Sequence, residues 1–186
     1  MELIRAKITH YLHPFLEITA TNDTPLVSFR LTSLGVIGAL AKFDDPNGQE
    51  IVHYLLQSEI FPLFIMCMNY GDETTQIVSA LIIVKIVSQE EGLKYCSANG
   101  ERFFTLVRAL GRVVDRQPER PSLRLLRFVI GCYLRLSEVP RAMDAFKNCI
   151  PARMTQQNFI TSLREDPQSV RMLQQLFMNI TSRHNI

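Results

Sequence analysis

Long uncharged runs are missing from this sequence. The longest stretch without Asp, Glu, Lys or Arg covers 60–71, twelve residues, whereas a bilayer-spanning helix needs about 18 or more. The N-terminus, MELIR, has no basic segment followed by an apolar core, so no secretory leader is expected. Both absences lead us to expect a soluble intracellular protein with no membrane partner. Cysteine is scarce and scattered. Cys67, Cys96, Cys132 and Cys149 form no C-x-x-C pair, so neither a zinc knuckle nor a redox dithiol is indicated. Each sits among apolar neighbours, where a thiol packs as a small hydrophobe, and buried structural cysteines are expected.

Catalytic signatures are equally sparse. The four histidines, His10, His13, His53 and His184, belong to no H-E-x-x-H motif, and no G-x-S-x-G occurs. The glycines of 35–38 (GVIG) lie inside a helical pattern without a following Lys-Ser/Thr, so they make no phosphate loop. His10 and His13 share a helix face but have no third ligand nearby. Asp44, Asp45, Glu90 and Glu91 end helices and read as loop solvation. We therefore expect no enzyme activity, no catalytic residue, no metal and no cofactor.

Charge, by contrast, is plentiful and unevenly placed. Residues 1–98 carry 6 Lys and Arg against 11 Asp and Glu, while residues 99–186 carry 14 against 7. Thirteen of those fourteen cations are Arg. An acidic partner or polyanion should prefer the C-terminal half. The other reading is a set of solvated helix faces whose Arg stems cover apolar surface.

The apolar periodicity is helical nearly throughout. Leu31, Leu34, Ile37 and Leu40 recur every three residues, widened by Val36 and Ala39, as in a helix buried on most sides. Asp72 is placed to cap a helix over 73–88, and the length of that run argues against a strand at 82–84. Further helices are expected over 50–57, 61–69, 100–117, 122–137, 140–149, 156–164 and 168–183, with Pro140 and Pro167 at first turns. The cluster at 44–48 (DDPNG) is the obvious turn.

Segments within this pattern repeat. The end of one helix, 39–45 (ALAKFDD), resembles 85–91 (KIVSQEE) and 133–138 (YLRLSE), with offsets of 46 and 48 residues. Each is followed by a shorter amphipathic helix. A period of about 40–47 residues is that of armadillo and HEAT units. The expected fold is therefore all-α, a right-handed α-solenoid of about four armadillo-like repeats forming one domain over 1–186.

Stacking would line the helices near 27–42, 73–88, 122–137 and 168–183 along one concave groove. They contain a single Asn, Asn179, so the Asn ladder of importin-type peptide binding is not expected. Groove candidates are Arg30, Arg124, Arg127 and Arg135, with Gly35, Gly38 and Val78. A helix-interior glycine either lets a partner approach or lets two helices pack closely. Arg108, Arg112, Arg116 and Arg120 recur every four residues, and the first three would share one helix face. Such a stripe either tracks a phosphate backbone, of RNA or single-stranded DNA, or is simply solvated.

The segment 30–42 (RLTSLGVIGALAK) resembles one specific group, the "required for cell differentiation" family, an armadillo-type subunit of the Ccr–Not deadenylase complex. Segments 11–16 (YLHPFL), 59–63 (EIFPL), 101–103 (ERF), 124–126 (RLL), 132–137 (CYLRLS) and 140–142 (PRA) match it in order. The resemblance implies a non-catalytic adaptor in mRNA decay and translational repression, found in cytoplasm, its decay granules and the nucleus. It implies docking on the central scaffold subunit and recruitment of silencing factors through short linear peptides. Carried over by matching positions, the peptide groove would use Arg30, Gly35, Val78 and Arg124. Pockets for tryptophan side chains of partners would use Arg102, Arg141 and Ala145, where Arg suits Trp by stacking and cation–π attraction.

Three departures from the family pattern are visible. The aromatic residue usual two positions before the Arg of the motif is replaced by Ser28, with Phe29 following. The usual Lys-Thr pair near 76–78 is absent, and the family's first repeats are expected to be missing. Leu3, Ile4 and Ile8 then form an apolar edge expected to be exposed and to serve a partner or a homodimer.

Overall fold

Asp72 stands in extended backbone, and its carboxylate accepts the Thr75 amide at 2.8 Å. This satisfies one of the donors that every helix start leaves open. The helix that follows, Glu73–Ser88, carries the β-branched run Ile82–Val84 as helix, because both flanks bury Ala80, Ile82, Ile83, Ile86 and Val87. Local β preference loses to burial on several sides.

The computed structural model describes residues 4, 6–19, 23–40, 48–140, 146 and 148–181. Among these there are ten α-helices and no strand. In chain order they are α1 (Ile8–Leu16), α2 (Thr24–Leu40), α3 (Gly48–Gln57), α4 (Phe61–Tyr70), α5 (Glu73–Ser88), α6 (Glu90–Ser97), α7 (Gly100–Asp115), α8 (Leu123–Leu136), α9 (Gln157–Ser162) and α10 (Pro167–Thr181). A 3₁₀ turn, Ala152–Thr155, precedes α9. None of these helices is singly long and apolar enough to cross a membrane. The chain divides into two units, Met1–Tyr95 and Cys96–Ile186.

In the first unit α2 packs against α1 and α5, and α4 packs against α5. Leu34, Ile37, Phe61, Phe64, Met68, Ile82 and Ile83 are almost wholly buried in its core. Removing one such side chain costs about 2–5 kcal/mol. The corner between α3 and α4 turns at Glu59, whose φ of 55° is left-handed. The step from α5 to α6 is tighter still. A Cβ on Gly92 would lie 1.9 Å from the Ile86 carbonyl oxygen, so only glycine fits there.

The second unit pairs α7 with α8 and α8 with α10. Its core holds an aromatic cluster in which Phe146 meets Tyr133 edge-on at 5.7 Å and Phe103 at 6.0 Å. The Tyr133 hydroxyl donates to the Val107 carbonyl at 3.1 Å. Burial holds that phenol un-ionised far beyond its ordinary range.

The all-α expectation holds, with helices packing on near neighbours in sequence inside each unit, as in an α-solenoid. Boundaries shift where tertiary groups intervene. The helix expected over 100–117 stops at Asp115, because Pro118 disfavours continuation and Arg153 takes the last carbonyls. The helix expected over 156–164 is present but shorter, as α9 over Gln157–Ser162, and the 3₁₀ turn Ala152–Thr155 stands just before it. Most of the 140–149 helix and of the 44–48 turn lies outside the described residues.

Candidate functional site

On the first unit the groove candidates sit on α2 and α5. The two helices meet where Gly38 looks at Ile82, whose nearest atom would be 3.8 Å from an added Cβ. That spacing is ordinary contact, so the Gly38 position faces helix packing. Gly35 lies elsewhere on α2 and is exposed, with no atom within 4 Å of where a Cβ would stand. Ser28, Thr32 and Ala39 are exposed with it, giving α2 a small-residue face. Val78 is half-buried on neighbouring α5. Arg30 turns the other way. It is 2% exposed, and its Nη1 donates to the Ile18 carbonyl at 2.8 Å, tying α2 to the segment after α1. Its charge also acts on Cys67, whose thiol burial pushes up to about 11 while Arg30 opposes the rise.

Phe29 is 53% exposed and stacks on Phe15 of α1 with ring centroids 5.6 Å apart. Tyr11, one turn before Phe15, is 66% exposed. The sequence marks Ser28 at the family's aromatic position, with Phe29 only as its neighbour, and gives no sign of this aromatic shelf. Periodicity alone gives α1 no clear outer face in nine residues. Leu3 lies outside the described residues, and Ile4 and Ile8 are half-buried. His10 and His13 line a cleft of about 590 Å³ with Lys7, Tyr54 and Gln57, where the Tyr54 hydroxyl meets both the amide and hydroxyl of Thr9. His13 Nδ1 lies 3.6 Å from Glu17. No group of three His, Cys, Asp or Glu placed to hold a metal occurs among the described residues.

The second unit carries the remaining candidates. Asn99 caps α7 by accepting the Arg102 amide at 3.2 Å, and the Arg102 side chain is half-buried one turn in. Arg141 and Ala145, expected beside it, lie outside the described residues. Arg108, Arg112 and Arg116 are all exposed, opposite the buried Phe103, Leu106, Leu110 and Val113. Arg124 is exposed in the first turn of α8. Arg127 and Arg135 have other work. Arg127 pairs with Asp166 at the start of α10, and Arg135 pairs with Glu138. Asn179 donates to the Ser137 hydroxyl at 2.9 Å, joining α10 to the end of α8.

Arg153 was not legible as functional or structural in the sequence. Its Nη1 donates to the carbonyls of Asp115 at 3.0 Å and Gln117 at 2.6 Å, and its Nη2 reaches Pro118 at 3.3 Å. A cation there also meets the negative end of the α7 dipole. No local pattern links a 3₁₀ turn to a helix end 38 residues earlier. The cysteines follow expectation more closely. Cys67, Cys96 and Cys132 are buried and Cys149 is half-buried. The first unit thus exposes apolar and small side chains, and the second exposes guanidinium groups.

The sequence profile described as "Cell differentiation family, Rcd1-like" matches residues 1–180. The chain is 38% identical over 181 residues to "Cell differentiation protein rcd1" of Schizosaccharomyces pombe, covering 97% of this chain and 62% of that protein. It is 37% identical over 178 residues to "Protein CAF40" of Saccharomyces cerevisiae, covering 95% of this chain and 47% of that one. It thus spans roughly half to three-fifths of these relatives' length. With nearly the whole chain matched, the protein belongs to the Rcd1-like cell differentiation family.

Proposed function

We propose that this chain is a non-catalytic adaptor of the Ccr–Not deadenylase complex, binding short peptide motifs of partner proteins in mRNA decay and translational repression. The match to the family over residues 1–180 carries the reading. The exposed side of α2 supports it, because Gly35 leaves open space there in which a peptide backbone can approach closely, and the packed neighbour α5 carries half-buried Val78. Arg30 contributes as a buried tie beneath that face, and the exposed Phe29 and Phe15 offer apolar area at its end. Arg102 offers a guanidinium on which a partner's tryptophan can stack. The scaffold subunit, tryptophan-bearing silencing factors, and residence in cytoplasm and nucleus are parts of the same proposal.

Co-purification of the full chain from cells, with in vitro capture of the scaffold's docking segment and of tryptophan-containing peptides, tests it. Recovery with the complex and capture of either ligand is the expected result. Absence of all three would overturn the adaptor reading.

A further inference from the structure

The arginines of α7 form a ridge that the proposed function does not use. Arg108, Arg112 and Arg116 stand four residues apart on the exposed side of the helix or at its end. Neighbours at that spacing lie about 5–6 Å apart, and a row of them slants across the helix as a ridge. Arg120, in the turn, and Arg124, in the first turn of α8, are exposed and continue the count. Within 100–124 there are six Arg against three carboxylates, Glu101, Asp115 and Glu119. The end of the ridge is held firmly. Arg153 clamps the carbonyls of the turn, while the Gln117 side chain joins the Val113 carbonyl to the Ser122 amide. A surface fixed before its partner arrives loses less freedom on binding.

Two ligand chemistries compete for such a ridge. Single-stranded nucleic acid is gripped by cations together with aromatic platforms on which bases stack. Among the described residues of the second unit every phenylalanine and tyrosine is buried or half-buried, so none of them is an exposed platform of that kind. An acidic helix whose carboxylates recur every fourth residue has the same spacing and the same slant as the ridge. Guanidinium forks also suit carboxylates, as the two 2.8 Å bonds from Arg127 to Asp166 display in this molecule. We propose that Arg108, Arg112 and Arg116 dock an acidic helical segment of a partner protein.

The test is fluorescence anisotropy of the full chain with a helical peptide bearing glutamate at every fourth position. Its glutamine counterpart, a uridine oligonucleotide and a DNA duplex serve as rival ligands. The glutamate peptide should bind, weaken with added salt, and lose about tenfold or more on Arg108→Gln, Arg112→Gln and Arg116→Gln together. Arg164→Gln with Arg171→Gln, which removes as much exposed charge per site elsewhere, should change binding less than about twofold. Arg112→Glu should weaken the glutamate peptide and improve binding of a lysine counterpart, a gain that misfolding cannot produce. The proposal falls if the glutamine peptide binds equally well, if either nucleic acid binds more tightly than the glutamate peptide, or if the triple variant binds unchanged. Equal loss in the two variant sets would overturn it as well.

Discussion

The guanidinium of Arg127 grips the carboxylate of Asp166 through two bonds of 2.8 Å, from Nε to Oδ2 and from Nη2 to Oδ1. The Asp166 side chain is 4% exposed and that of Arg127 is 43% exposed. The same carboxylate accepts the Ser169 hydroxyl in the first turn of α10. One buried acid thus joins two helices and caps one of them.

That arrangement gives stability a defined pH dependence. The bond from Arg127, aided by Ser169, holds the Asp166 carboxyl below its ordinary value of 3.8, against the opposing effect of burial. A depressed native value means the unfolded chain binds the proton first as acid is added. The stabilisation is complete above the ordinary carboxylate range and is lost as pH falls through the native value. Denaturant melts at descending pH should show this loss, and Asp166→Asn should flatten it. An unchanged acid limb in Asp166→Asn would remove the assignment.

Arg153 should behave as a remote cap. Arg153→Met keeps much of the stem but leaves the carbonyls of Asp115, Gln117 and Pro118 without their donor. A loss of about 1–2 kcal/mol is expected from chemical denaturation. Amide exchange should quicken first at the end of α7. The same variant should weaken the acidic peptide if the clamp positions Arg116.

Two glycines should respond in opposite ways to a side chain. Gly92→Ala forces a Cβ against the Ile86 carbonyl, where backbone must move, and overpacking of this kind costs about 1–3 kcal/mol or more. Gly35→Gln meets nothing within 4 Å and should leave the melting temperature unchanged or raise it slightly. It should nonetheless abolish peptide capture on the α2 face. Capture unaffected by Gly35→Gln would place the peptide site elsewhere.

Thiol chemistry offers a direct reading of burial. Burial pushes Cys67 up to about 11 and Cys96 up to about 12, against the milder opposing effects of Arg30 and Arg102. Cys132 is raised further by burial and by Cys96. Thiolate, the reactive form, is scarce at neutral pH for all three. An aromatic disulfide reagent should therefore titrate Cys149 alone in the folded chain and all four cysteines in denaturant. Rapid reaction of a second thiol in the native protein would contradict the burial.

Periodicity, capping residues and a period in the mid-forties are properties of the sequence alone, and they determine much of this protein. The apolar spacing of 31–40 and 73–88 specifies buried helices because helix geometry returns the same face every three to four residues. Asp72 and Pro167 mark starts because a first turn leaves its amides unpaired whatever the rest of the fold does. The resemblance of 30–42 to its family is likewise a property of the chain alone. What a given polar side chain does was decided only in three dimensions. Arg30 and Gly35 lie five residues apart in one motif, yet one is buried against the Ile18 carbonyl and the other is open to solvent. Arg108 and Arg153 are both arginines of the basic half, one exposed on a ridge and the other closing a helix end. Sequence spacing sets which residues share a helix face; which face meets another helix, and which carbonyl waits there, depends on elements tens of residues away.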